Sequence, residues 1–160
     1  MTVVSDTSPI CYLLLIGEID LLPALYERIH IPQAVAAELQ HPGAPFNLRS
    51  WMGSSPGWLE ILTVGSRLSP DLKRLQAGER ETILLAESLD AGLVILDDRR
   101  AREVALARGL QVTGLLGVLG QAGRRGLISL PEVFARLQQT SFRTTSQVLT
   151  EIIDRYGKRG

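Results

Sequence analysis

Cysteine is almost absent: Cys11 is the single one among 160 residues. No disulfide can form within the chain, which suits a reducing compartment. The apolar neighbours Ile10 and Tyr12–Ile16 mark Cys11 as a small buried hydrophobe. Aromatic residues are also few, with two Trp, three Tyr and three Phe, so Leu, Ile, Val and Ala must fill the core. His30 and His41 have no Cys or His partner at ligand spacing, which argues against a zinc site. Long apolar runs are missing too. The stretch over residues 10–16 falls far short of the ~20 residues of a membrane helix. The first basic residue is Arg28, so no positive segment precedes that stretch, and Asp6 interrupts the region. A cytoplasmic protein without a membrane segment is the expectation.

The chain has 45% apolar and 21% charged residues, a globular composition that fits one domain over residues 1–160. Net charge is zero, but its distribution is uneven. Residues 1–98 hold six Lys/Arg and thirteen Asp/Glu, and residues 99–160 hold eleven and four, so the two parts carry −7 and +7. An acidic part suits cations and a basic part suits a polyanion. Solvated helix faces account for most of the arginines.

Val3-Val4-Ser5 reads as a buried strand ending at Asp6. Ser8-Pro9 opens a helix that Gly17 stops. A second helix runs from Asp20 to about Arg28, Ile29–Ile31 is a strand, and Pro32 starts a helix over Gln33–Gln40. Residues 41–57 form the one long irregular stretch, a substrate-side loop or a short helix around Leu48–Met52. Trp51 and Trp58 pack beneath it. Trp58–Val64 is a strand, Ser69-Pro70 caps a short helix, Gly78 breaks it, and Glu79–Leu89 is helical. Leu93–Leu96 is a continuous apolar strand. A helix over Arg99–Arg108, a strand over Leu110–Thr113 and a helix over Leu115–Arg124 follow. C-terminal helices over residues 131–156 close the chain. The glycines at positions 114, 117 and 120 suit close helix packing better than a nucleotide loop. Strands alternating with helices predict an α/β fold of three layers, α/β/α, around a central parallel sheet.

Sites in such sheets form at the carboxyl ends of the strands. Two strands end in acid, at Asp6 and at Asp97-Asp98. Two helices carry a glutamate among apolar residues: Glu38 beside Val35 and Leu39, and Glu81 on the face of Leu84 and Leu85. Inward carboxylates are costly unless a cation compensates them. Several without a basic partner in their own motifs suggest Mg²⁺ or Mn²⁺, which prefer hard oxygen ligands. Arg99 and Arg102, one turn apart, are candidates for phosphate contacts.

The motifs Val3–Ile10, Ile31–Leu39, Gly78–Ala86 and Val94–Arg99, followed by Ala105 and Gly109, resemble in order those of the PIN-domain family. Within it they resemble the ribonuclease toxins of prokaryotic toxin–antitoxin pairs. The resemblance spans residues 1–115. It implies a PIN-like fold and an endoribonuclease in which Asp6, Glu38, Glu81 and Asp98 bind Mg²⁺ (or Mn²⁺), with Thr7 and Ser8 supporting Asp6. Glu79, opening its helix, is read as complementing the helix dipole. The family pattern puts the fourth acid at Asp98 and leaves Asp97 as N-cap of the Arg99–Arg108 helix; the reverse assignment stays open. The resemblance also implies an RNA substrate, a homodimer and a cognate antitoxin. Two positions depart from the pattern: Glu81 replaces a usual aspartate, and Leu96 stands where Thr or Ser is usual. They keep a second reading open, a PIN-like binding module without catalysis. A third, an aspartyl-phosphate phosphatase or receiver, fits worse: Ser8 stands where the phosphatase needs a second acid, a receiver's acidic pair would follow strand one and not stand at Asp97-Asp98, and the only lysines are Lys73 and Lys158.

Overall fold

A computed structural model describes residues 1–65 and 68–156. Its strands are β1 (Val3–Ser5), β2 (Ile29–Pro32), β3 (Leu59–Leu62), β4 (Leu93–Ile95) and β5 (Val112–Thr113). They pair in the order β3-β2-β1-β4-β5, and every pairing is parallel. Parallel neighbours need crossover connections, and the helices supply them. The chain lays β2 and β3 on one side of β1 and β4 and β5 on the other. The sheet therefore has its topological switch point between β1 and β4, where a crevice opens at the carboxyl ends.

Alternation along the strands divides the core into two layers. Val3 and Ile95 join Ile29 and Ile31 in a cluster with α1 (Thr7–Leu15), α2 (Leu21–Tyr26), α8 (Leu115–Arg124) and α9 (Leu130–Leu137). Val4, Val94 and Leu96 face the other way, onto α5 (Pro70–Lys73), α6 (Ala77–Ser88) and α7 (Arg99–Ala107). All seven of these strand-region side chains are fully buried, at roughly 1.5–3 kcal/mol of transfer free energy each. This is the three-layer α/β/α arrangement expected of the sequence.

Several element boundaries differ from the sequence reading, and two bear on the site. Helix α1 begins at Thr7, with Asp6 as N-cap residue. Gly78 does not break a helix: it lies inside α6, which starts at Ala77 behind a reciprocal Gln76–Glu79 capping box. The irregular stretch contains α4 (Phe46–Gly53), longer than expected and anchored by buried Leu48 and Met52. Trp51 and Trp58 pack there with ring centroids 5.9 Å apart. Helix α10 (Ser146–Tyr156) closes the chain against α8. The glycines of α8 make that approach possible, since a Cβ at Gly120 would stand 2.8 Å from the Tyr156 ring.

Candidate functional site

Five carboxylates reach one cavity of about 590 Å³ at the carboxyl edge of the sheet: Asp6, Glu38, Glu79, Asp97 and Asp98. Each arrives on a different support. Asp6 ends β1, its backbone N–H donating to Ile95 O at 3.0 Å, so the switch point holds it at the crevice floor. Its residue is only 6% exposed. Glu38 lies on α3 (Gln33–Leu39), where the Thr7 hydroxyl donates to Glu38 Oε2. A Cβ on Gly78 would come within 2.5 Å of Glu38 Oε1, so the absent side chain makes room for that carboxylate. Glu79 occupies the first turn of α6, accepting from Gln76 N at 3.1 Å. Asp97 accepts from Leu115 N at 2.9 Å and from the Ser8 hydroxyl at 3.4 Å. Asp98 is the N-cap of α7 and accepts from Ala101 N at 3.0 Å.

These acids stand outside the ion pairs. None of them joins an ion pair with Lys or Arg among the described residues. Burial pushes the Asp6 carboxyl up to about 7, and the charges of Glu79, Glu38 and Asp97 add to the rise against the lowering hydrogen bond of Thr7 N–H. Burial likewise raises Glu79, with Asp98 and Glu38 adding to the rise against Gln76 N–H and the Arg100 charge. Asp97 is raised by burial, offset in part by Leu115 N–H and Arg102. Among the described residues, no three His, Cys, Asp or Glu side chains are gathered as a ready metal shell. The donor set nevertheless fits a hard divalent cation: oxygen ligands only, mutually repelling, and partly desolvated. The one sulfur in the cavity, Cys11, is raised to about 11 by burial and by Glu38 and Asp6, so the thiol keeps its proton.

Two sequence expectations about the acids require correction. Glu81 does not line the cavity; its Oε1 accepts from Ala34 N at 3.0 Å and thereby caps α3, the helix that carries Glu38. Glu79, read as a dipole partner alone, is the α6 acid at the cavity. Residues two apart on a helix point about 200° apart, so both cannot face one site. The capping roles of the aspartates are also exchanged. Asp98, not Asp97, is the N-cap of α7, and Asp97 instead holds the start of α8. Both still line the cavity, as do Thr7 and Ser8.

The arginines separate as well. Arg102 turns inward, donating to Leu96 O at 3.0 Å, and lines neither the cavity nor the groove beside it. Arg99 is exposed, paired along α7 with Glu103 at 3.4 Å. It lines a second groove with Arg74 and Arg100, and Gln76, Glu79 and Asp98 belong to both hollows. Arg74 and Arg100 were missed in the sequence; the tertiary fold alone brings α5 beside α7.

A family model described as PIN domain matches residues 2–158. Among solved structures, a PilT N-terminus domain protein from the hyperthermophilic archaeon Sulfolobus solfataricus P2 is similar, with a TM-score of 0.51 and 16% identity. The alignment covers 91% of this chain and 100% of that one, and at such identity the likeness concerns the fold. No curated protein matches the sequence. No helix among the described residues is long and apolar enough to cross a membrane.

Proposed function

The chain belongs to the PIN-domain family, whose members are typically nucleases, and from its acidic cavity we propose that it is a Mg²⁺- or Mn²⁺-dependent endoribonuclease. The observation that carries the reading is Asp6, buried at the switch point among carboxylates and without a basic partner among the described residues. Asp6, Glu38, Glu79 and Asp98 would hold the ion, and Asp97 adds its charge beside Asp6. When bound, such an ion lowers the pKa of water and neutralises charge on a phosphodiester. The protein's own groups do the positioning. The Thr7 hydroxyl holds Glu38 and the Ser8 hydroxyl holds Asp97. Glu79 and Asp98 each use one oxygen on a helix end, and the other accepts no hydrogen bond from the described residues. Arg74, Arg99 and Arg100 line the neighbouring groove, Arg99 beside its partner Glu103, and offer guanidinium groups to an RNA backbone.

Calorimetric titration with Mn²⁺, alongside RNA cleavage with and without the ion, tests the proposal. A saturable site and cleavage that both disappear in Asp6→Asn are expected. A binding module without catalysis is the second reading, kept open by Leu96 in place of a hydroxyl residue; absence of cleavage by the metal-loaded protein would favour it. Asp98→Asn and Asp97→Asn are compared in the same assay, and the stronger loss is expected from Asp98, whose second oxygen is not engaged by Ser8.

The reading extends to the toxin of a toxin–antitoxin pair, supported by the resemblance of the four motifs. It then works as a homodimer, and its partner is a small antitoxin that covers the acidic cavity, inserting a basic side chain among the carboxylates. Light scattering that gave a monomer would remove the dimer. Unhindered growth of cells expressing the active protein would remove the toxin role.

A further inference from the structure

The acidic cavity changes character along its length. Beyond the carboxylates its wall consists of Tyr12, Leu15, Pro45, Leu48 and Phe142. No metal ion has use for such a wall, and a phosphate is repelled from it by desolvation. Phe142 comes from the segment between α9 and α10 and meets the Tyr12 ring edge-on, with centroids 5.2 Å apart and planes at 80°. The pair is held in place. The Tyr12 hydroxyl lies 2.8 Å from the Ser141 hydroxyl, and Phe142 N–H donates to Thr140 Oγ1 at 3.2 Å. Leu15 keeps 45% of its surface exposed. The wall is therefore apolar, aromatic, open at the rim and edged by two hydroxyls.

Resting on the ribonuclease reading, we infer that this wall is a subsite for a nucleobase of the RNA adjoining the phosphate at the acids. The second hollow beside the acids decides the occupant. That groove shares Gln76, Glu79 and Asp98 with the cavity and adds Arg74, Arg99 and Arg100, with Glu103 paired to Arg99. A strand whose charged backbone follows the arginines across the acids turns a base toward the apolar side. A base is uncharged and flat and carries a polar edge, matching an aromatic wall bordered by hydroxyls.

The probe is 2-aminopurine riboside 5′-monophosphate with Mg²⁺, whose fluorescence falls when the base stacks on an aromatic ring. Saturable quenching by the wild type is expected, with ribose 5-phosphate a far weaker competitor. Phe142→Leu keeps apolar volume against Tyr12 and should weaken nucleotide binding roughly 5- to 100-fold, while Phe142→Trp retains it. Tyr12→Phe, which removes only the hydroxyl, should weaken it less. Melting curves confirm that each variant is folded. No quenching by the wild type, equal competition by ribose 5-phosphate, or unchanged affinity in Phe142→Leu would overturn the subsite. So would an apolar peptide displacing no nucleotide while binding Phe142 itself. RNA cleavage measured in parallel keeps the two readings apart. Nucleotide stacking without cleavage sinks the nuclease and leaves the base site standing; cleavage indifferent to Phe142 does the reverse.

Discussion

Helix α7 has acids at both ends, and they meet opposite electrostatic fates. At its C-terminal end Arg108 bridges Asp71 at 2.9 Å and Glu87 at 3.0 Å, tying α5 and α6 to α7. A hydrogen bond from Ser69, reinforced by Arg108, holds Asp71 below the ordinary carboxylate range. The guanidinium also complements the negative end of the helix dipole. At the N-terminal end, Asp98, Asp97, Glu79, Glu38 and Asp6 share a cavity and no ion pair among the described residues. There burial raises Asp6, Glu79 and Asp97, and neighbouring carboxylates add to the rise of Asp6 and Glu79. Where the protein supplies the counter-charge, the acids are structural. Where no ion pair forms, the negative potential is available to a ligand.

The strongest way to break this contrast is Asp6→Asn. Metal-dependent RNA cleavage should fall on the order of a thousandfold, the equivalent of several kcal/mol. The rise in melting temperature caused by Mn²⁺ should disappear. A variant that Mn²⁺ still stabilises as much as the wild type would mean that Asp6 is not at the metal.

The metal-free protein offers a second test through pH. The folded state holds the Asp6 proton more tightly than the unfolded chain does, at about 7 against 3.8. Its contribution to stability is complete below pH ~4 and is lost as pH rises toward ~7, by on the order of 2–4 kcal/mol. Denaturant melts with a chelator should show this decline, and Asp6→Asn should flatten it. Mn²⁺ should oppose it in the wild type. Asp71 works in the other direction, its lowered value favouring the fold once pH exceeds the ordinary carboxylate range.

Gly78→Ala sharpens the contrast without touching a charge. The new Cβ would overlap the end of the Glu38 side chain, 2.5 Å from Oε1, so the carboxylate must swing away. Mn²⁺ affinity should drop about tenfold, as for other groups that orient a ligand. The fold should tolerate the change, since alanine favours a helix and the displaced atom terminates a flexible chain. Unaltered Mn²⁺ affinity would remove Glu38 from the ligands. The smallest effect is expected at the compensated end: Arg108→Ala should lower the melting temperature by about 2–5 °C and leave cleavage per folded molecule unchanged. A large loss of activity there would erase the distinction between the two ends.

Composition and periodicity alone carried the sequence reading to the layer architecture. Apolar runs such as Leu93–Leu96 have no polar face, so they require cover on both sides, which parallel strands receive. A strand that ends in acid at the carboxyl edge also constrains its position, and Asp6 and Asp97-Asp98 reach the crevice for that reason. The phase of a helix is a different matter. Glu79 and Glu81 lie in one run of residues, and which of them faces the cavity depends on how Ile83, Leu85 and Ala86 seat α6 on the sheet. A shift of one residue in the start of α7 likewise exchanges the capping roles of Asp97 and Asp98, and local sequence resolves boundaries no better than that. Arg74 and Phe142 reach the site from segments distant in the chain, with no motif of their own. The residue types and the ends of the strands are local properties, legible one element at a time. The choice of the α6 acid, the arginine groove and the aromatic wall arises only when packing sets the rotation and position of each helix against its neighbours.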